Sequence, residues 1–175
     1  GVQVSDGLIN TKYEHGIPLD RIEINECGHP VPDEAGIEGT ERIIKLVEDA
    51  GEQTLVLCLV SGGGSALMPA PADGISFGEK QETTRQLLAC GATINEMNAV
   101  RKHLSKVKGG QLARIAHPAT VVSLILSDVI GDPLDVIASG PTAPDASGFK
   151  DCLEIFQKYG LQGQIPQRVL DRIRE

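Results

Sequence analysis

Two uncharged apolar runs, residues 55–60 (LVLCLV) and 119–126 (ATVVSLIL), stand out from a chain whose polar and apolar positions otherwise alternate at helical or strand spacing. Short runs of this kind predict strands buried on both faces, as in a parallel sheet. Two β-branched segments nearer the start, residues 7–11 (GLINT) and 21–26 (RIEINE), predict further strands, separated by a polar loop with Gly16 and Pro18. Between strands the spacing turns helical. Asp33 is placed to cap a helix running to Ala50, with Ile37, Ile43, Ile44 and Val47 in register and Gly51 as its stop. Residues 77–91 and 95–105 predict two more helices, and residues 106–116 extend the second past a break at Gly109 and Gly110. Residues 149–159 and 166–174 complete the helical set. Strands alternating with helices predict an α/β domain with a mainly parallel sheet.

The run at 55–60 stops abruptly at Ser61, Gly62, Gly63, Gly64 and Ser65. Three successive glycines carry no Cβ to keep an anion away from backbone N–H groups. A helix opening at Ser65 would aim its positive end at the same place. Strand, glycine nest and helix together suit a phosphate or a carboxylate, and they equally suit a tight turn with no ligand. Residues 131–144 form a Gly- and Pro-rich connection, long enough to be a candidate functional loop.

Composition narrows the function. The 175 residues hold 24 acidic and 16 basic side chains, a formal charge of −8, with 3% aromatics. That balance argues against a nucleic-acid surface, which needs a concentrated positive field or stacking platforms. No apolar run approaches a membrane span and no charged-then-apolar leader is present, so a cytoplasmic protein is expected. Cys27, Cys58, Cys90 and Cys152 are spread out with no CxxC pair, which fits free thiols in a reducing compartment. The chain opens on Gly1 without an initiator Met and closes inside an amphipathic pattern, and is expected to be part of a longer polypeptide.

In an open α/β sheet, ligands gather beyond the carboxyl ends of the strands. Three unusual segments follow predicted strands: GHPVPD after 21–26, SGGGSAL after 55–60, and SDVIGD after 119–126. Independent turns would scatter, whereas a site would converge. Asp128 and Asp132 suit Mg²⁺, which takes one or two protein carboxylates together with phosphate oxygens and water; the alternative is a pair of turn-forming aspartates around Gly131. Ser139, Gly140 and Thr142 offer hydroxyls and a second bare backbone. Arg101, Lys102, Lys106 and Lys108, with His103, make a local positive cluster in an acidic chain. At helical spacing Arg101, Ser105 and Lys108 share one face, and Lys102 and Lys106 another. His29 and Asp33 either hydrogen-bond a polyhydroxy acid or fix a turn and cap a helix. Three signatures are missing. There is no GxxxxGK[ST], no GxSxG, and no GxGxxG, because Leu67 stands where the third glycine belongs.

GHPVPDEAG, LVSGGGSALM, NAVRKHLSKVKGGQLA and LSDVIGDPLDVIASGPT occur here in the order found in class II glycerate kinases. The chain resembles this glycerate 2-kinase family, also labelled hydroxypyruvate reductase, from about residue 7 to residue 145. The resemblance implies ATP-dependent phosphorylation of D-glycerate with Mg²⁺, and a Rossmann-like three-layer α/β/α domain facing a smaller C-terminal domain. Residues 1–175 would then be an incomplete N-terminal large domain, inactive alone. The family's upstream glycine-lysine motif and its C-terminal arginine have no counterpart here. Carried onto this sequence, Ser61, Gly62, Gly63, Gly64 and Ser65 would bind phosphate or the substrate carboxylate, with His29, Ser139, Gly140 and Thr142 nearby. Arg101, Lys106 and Lys108 would neutralise phosphate charge. Asp128 and Asp132 would hold Mg²⁺, or Asp128 would accept the hydroxyl proton. Glycerate and nucleotide are the expected partners, with a homodimer as the expected assembly. The competing readings are an NAD(P)H-dependent hydroxypyruvate reductase and a non-catalytic anion-binding module.

Overall fold

The computed structural model describes residues 4–127 and 129–174. Strand β1 (Leu8–Lys12) pairs in parallel with β2 (Glu23–Cys27), Leu8 opposite Glu23 and Lys12 opposite Cys27. Strand β3 (Leu55–Val60) pairs in parallel with β4 (Thr120–Ile125), Leu55 opposite Thr120 and Val60 opposite Ile125. The molecule is thus α/β with parallel strands. Among the described residues the pairs form two separate two-stranded sheets instead of a single one.

Helix α1 (Glu34–Glu48) begins where the sequence places it: the Asp33 carboxylate accepts the Gly36 N–H at 3.0 Å. Helix α2 (Gly64–Leu67) is a single turn. Helices α3 (Phe77–Ala89) and α4 (Ile94–His103) each open on a reciprocal cap, Ser76 with Glu79 and Thr93 with Glu96. Gly109 and Gly110, at φ +60° and +80°, make the break before α5 (Gln111–Ile115). Helices α6 (Phe149–Lys158) and α7 (Gln167–Arg174) follow.

Two apolar clusters hold the elements together. The larger joins α3, α4, α6 and α7 through Leu87, Val100, Leu104, Phe156, Val169 and Ile173, all buried. The smaller sets Val47 of α1 and Leu112 of α5, with Ala70 and Val107, against Val56, Cys58 and Val121 of the β3–β4 pair.

Strand burial departs from the expectation. Both β3 and β4 alternate, and Leu55, Leu57, Leu59, Val122 and Leu124 are between 41% and 64% exposed. Successive strand side chains point to opposite faces, and among the described residues helices cover only the Val56–Cys58 face. An uncharged run signals that neither face carries charge; it does not say that both are covered. The four cysteines are free thiols.

Candidate functional site

Ser65, on the single turn after β3, is the meeting point. Its Oγ accepts from Arg101 Nη2 at 2.9 Å and from Lys108 Nζ at 2.8 Å, and lies 3.1 Å from Ser139 Oγ. Lys108 Nζ also donates to the Ser65 carbonyl oxygen at 2.8 Å. Two donors occupy both hydroxyl lone pairs, so Ser65 turns its own proton toward Ser139.

Each partner is delivered by a different element. Arg101 projects from α4, whereas Lys108 sits beyond the turn that ends it. Ser139 comes from the segment after β4, where Ala138, Ser139 and Gly140 all hold left-handed backbone (φ 51°, 63° and 59°). Such conformations cost roughly 1–3 kcal/mol for residues with a Cβ. They persist here because the segment is stitched down: the N–H groups of Gly109, Gly110 and Leu112 donate to the carbonyls of Ser139, Gly140 and Pro141 at 3.0, 2.7 and 3.2 Å.

The glycine loop is packed as well as bare. Gly63 holds φ +80°, and a Cβ there would collide with His29 Nε2. The segments after β2 and β3 therefore meet at His29 and Gly63, and the connection after β4 reaches Ser65 through Ser139 and not through the expected SDVIGD stretch, whose Asp132 is exposed. Asp33, by contrast, acts as a cap: beyond its bond to Gly36 it accepts from Tyr13 Oη at 2.7 Å. Its partial burial would raise its pKa, yet hydrogen bonds from Gly28, Tyr13 and Gly36 outweigh that and lower it.

The expected helix dipole is weak, because α2 is only one turn long. Positive charge is supplied instead by side chains. Lys108 is 2% exposed and Lys80 of α3 is 8% exposed. Burial pulls Lys108 well below its ordinary pKa, and the charges of Lys80 and Arg101 push the same way. Burial, then Arg101, brings Lys80 down from 10.5 to about 7. Burial also lowers Arg101. Among the described residues no carboxylate pairs with any of the three.

Other candidate residues lie elsewhere. Lys106 pairs with Asp73 at 2.9 Å, and Lys102 with Asp145 and Asp135 at 3.2 and 3.3 Å. Both line a 740 Å³ cavity with Arg114 and Asp145, and Lys108 contributes to its wall. The split of Arg101 and Lys108 from Lys102 and Lys106 matches the expected grouping, but not by helical spacing: α4 ends at His103, and the turn that follows it places Lys106 and Lys108. His103 Nδ1 donates to the Ala99 carbonyl oxygen of its own helix at 2.8 Å. Thr142 hydrogen-bonds Ser123 of β4 at 2.7 Å instead of facing Ser65. Gly140 is held against the Asp135 backbone. Ser61 and Gly62 are exposed, and among the described residues Gly62 and Gly63 donate no backbone hydrogen bond. Asp132 is exposed at φ 50°, and Asp128 lies outside the described residues. Among the described residues no three His, Cys, Asp or Glu side chains gather as a metal cage.

One supporting network escapes sequence reading. Asn10 and Asn25 look like strand residues, yet Asn10 Nδ2 donates to Leu67 O at the end of α2 at 2.8 Å, and Asn25 Nδ2 holds Asn10 Oδ1 at 3.0 Å. Thr40, itself bonded to Gly36 O at 2.7 Å, accepts from Asn10. A Cβ at Gly39 would strike these amides. The network fixes the turn that carries Ser65. A part-buried amide 57 residues from its carbonyl partner leaves no local sequence signal.

Comparison with known proteins gives a family match over residues 2–174, to the model described as a domain of unknown function (DUF4147). The D-glycerate 2-kinase of Thermotoga maritima is 52% identical over 163 residues, covering 93% of this chain and 39% of the relative. An Agrobacterium vitis protein provisionally named hydroxypyruvate reductase is 50% identical over 155 residues, covering 89% of this chain and 40% of the relative. The crystal structure of the PH0495 protein from Pyrococcus horikoshii OT3 superposes with a TM-score of 0.96 at 45% identity, over 99% of this chain and 39% of that one. The chain thus spans about two fifths of the length of these relatives.

Proposed function

The chain belongs to the family described as a domain of unknown function (DUF4147), and from that premise we propose that it carries the anion-holding wall of an ATP-dependent D-glycerate 2-kinase. The observation that supports this most is the meeting of Arg101, Lys108 and Ser139 on Ser65, with the bare glycine loop beside it. Phosphoryl transfer asks a protein mainly for positioning and for charges set where negative charge develops. Fixed cations on a serine hub supply both. The relatives are more than twice as long, so the activity is proposed for these residues accompanied by the remainder that such relatives have.

Within this reading, residues 1–175 are the larger part of a Rossmann-like three-layer domain. The bare Leu55–Leu57–Leu59 face is where a second helical layer would lie, and the cleft faces a C-terminal domain. Arg101 and Lys108 neutralise phosphate or carboxylate charge at Ser65. Lys106, beside Asp73, contributes from the neighbouring cavity. Asp132 and Asp128 serve the Mg²⁺ that accompanies the nucleotide, or Asp128 takes the hydroxyl proton. A cytoplasmic location and a homodimer accompany the proposal. Among the described residues no helix is long and apolar enough to cross a membrane.

The test is a paired assay on a polypeptide of the relatives' full length. D-Glycerate with ATP and Mg²⁺ is expected to give 2-phosphoglycerate, and Asp128→Ala to abolish most of the turnover. Oxidation of NADH by hydroxypyruvate, with no phosphoglycerate formed, would overturn the kinase in favour of the reductase.

A further inference from the structure

The connection after β4 folds back on itself between Asp135 and Asp145, and both ends of that excursion meet one lysine. Lys102, in the last turn of α4, donates from Nζ to Asp135 Oδ2 at 3.3 Å and to Asp145 Oδ1 at 3.2 Å. Its side chain is 5% exposed, against 13% for Asp145 and 46% for Asp135. A lysine serving the helix C-terminus alone would turn its ammonium to solvent. This one is drawn inward, and two carboxylates offset its desolvation. Asp145 Oδ1 is itself held by the N–H and the hydroxyl of Ser147, at 3.1 and 2.8 Å. Gly109 fits beside the clamp because it has no Cβ; one there would stand 3.1 Å from Asp145 Oδ2.

Between the two ties lie Ala138, Ser139 and Gly140 with their left-handed backbone. Strain of that kind survives only where the surroundings over-determine it. The second half of the run is held by the N–H groups of Gly109, Gly110 and Leu112. The first half has less. Among the described residues, the N–H groups of Val136 and Ile137 reach back only to Pro133 O, at 2.9 and 3.2 Å, and the polar bond joining residues 135–138 to another element is the one from Lys102. Gly140 packs so closely on Asp135 that a Cβ would sit 2.8 Å from Asp135 Cα. A shift at Asp135 is therefore passed to the neighbour of Ser139.

We propose that Lys102 is a positioning residue for the Ser65 site: by clamping Asp135 and Asp145 it holds Ser139 Oγ 3.1 Å from Ser65 Oγ, and so keeps the Ser65 hydroxyl oriented to receive Arg101 and Lys108. The inference rests on the reading of Ser65 as an anion site in phosphoryl transfer. Arg101 and Lys102 are consecutive on α4. The first reaches Ser65 Oγ directly, at 2.9 Å, and the second reaches it through the clamped connection. One turn of helix thus sets both sides of the hydroxyl.

Two measurements on a polypeptide of the relatives' full length test it. Hydrogen exchange on peptides covering residues 105–112 reports the clamp, because the Gly109 and Gly110 amides bond the Ser139 and Gly140 carbonyls. The kcat/KM for D-glycerate at saturating ATP and Mg²⁺ reports its consequence. Lys102→Met is expected to speed exchange of those amides and to lower kcat/KM about tenfold, the scale of one lost aligning hydrogen bond. Ser139→Ala is expected to lower kcat/KM as far, and the double variant no further than Ser139→Ala alone. Asp135→Asn leaves Lys102 paired with Asp145, so it keeps the question answerable should Lys102→Met not fold. It is expected to cost about threefold, and nothing once Ser139 is replaced by alanine. Losses that multiply in the double variants would make Lys102 a stabilising residue only and overturn the proposal. So would a folded Lys102→Met, or Asp135→Asn, with exchange or kcat/KM unchanged. The two readings separate cleanly. Faster exchange in Lys102→Met from a wild type that forms no phosphoglycerate removes only the kinase. Wild-type turnover, with exchange and kcat/KM indifferent to Lys102, removes only this inference.

Discussion

At the scale of single residues, the site depends on atoms that are missing as much as on atoms that are present. Gly63 combines a left-handed φ of +80° with a His29 ring standing where a Cβ would go. Gly63→Ala therefore meets two penalties of different origin, backbone strain and collision, and only the second can be relieved from outside. We expect Gly63→Ala to destabilise the chain by about 1–3 kcal/mol. Adding His29→Ala should recover part of that loss but not all of it. Urea midpoints for the two single variants and the double variant check this; full additivity would mean that the ring and the glycine do not touch. Three successive glycines after an apolar strand were legible in the sequence as a place for close approach. The identity of the approaching group was not, because His29 and Gly63 are distant in sequence and meet only when β2 and β3 end near each other.

At the scale of elements, the Asp33 cap was legible and helix length was not. Asp33 begins α1 with the side-chain bond that the sequence predicts, whereas Ser76 and Thr93, which cap α3 and α4 in the same way, were found only in the structure. The helix after the glycine loop ends after one turn, since Pro69 follows closely and lacks the N–H to continue it. Glu96 does more than cap α4. It also accepts from Lys158 Nζ at 2.6 Å and Tyr159 Oη at 2.9 Å, tying the helix that carries Arg101 to the end of α6. The Lys158 bond first, then the Thr93 cap, lower its pKa from 4.5 to about 2. A carboxylate depressed in the folded state stabilises fully above its unfolded value, and that contribution disappears as pH falls through the folded one. Stability is thus expected to decline between about pH 4.5 and pH 2, and Glu96→Gln should start lower at neutral pH with a flatter acid limb. Urea midpoints measured across that range decide it: an acid limb as steep in the variant as in wild type would show that Glu96 is not a principal source of the decline.

At the scale of the whole molecule, charge and hydrophobicity are both distributed against the average. The chain is acidic overall, at −8, yet Arg101 and Lys108 meet on one serine with no carboxylate paired to them among the described residues. Burial makes that local field matter more than the net charge, because screening by solvent is weakest there. The β3–β4 pair likewise has one face locked into the core and one bare. Val56→Lys, which places a charge against Val47 and Leu112, is expected to unfold the chain, whereas Leu57→Lys on the open face should shift stability by no more than about 0.5 kcal/mol. Circular dichroism with denaturant titration separates the two, and equal damage from both would mean that the outer face is covered. The sequence alone determined the α/β class, the strand positions, the Asp33 cap and the glycine segment after β3, because those rest on local conformational preference and short-range periodicity. Only the tertiary structure decided which face of β3 is buried, that Lys106 pairs with Asp73 away from Ser65, and that Ser139 reaches Ser65. Those outcomes depend on how distant segments pack, and a side chain's partner across a fold is set by the closing of the chain and not by its neighbours along it.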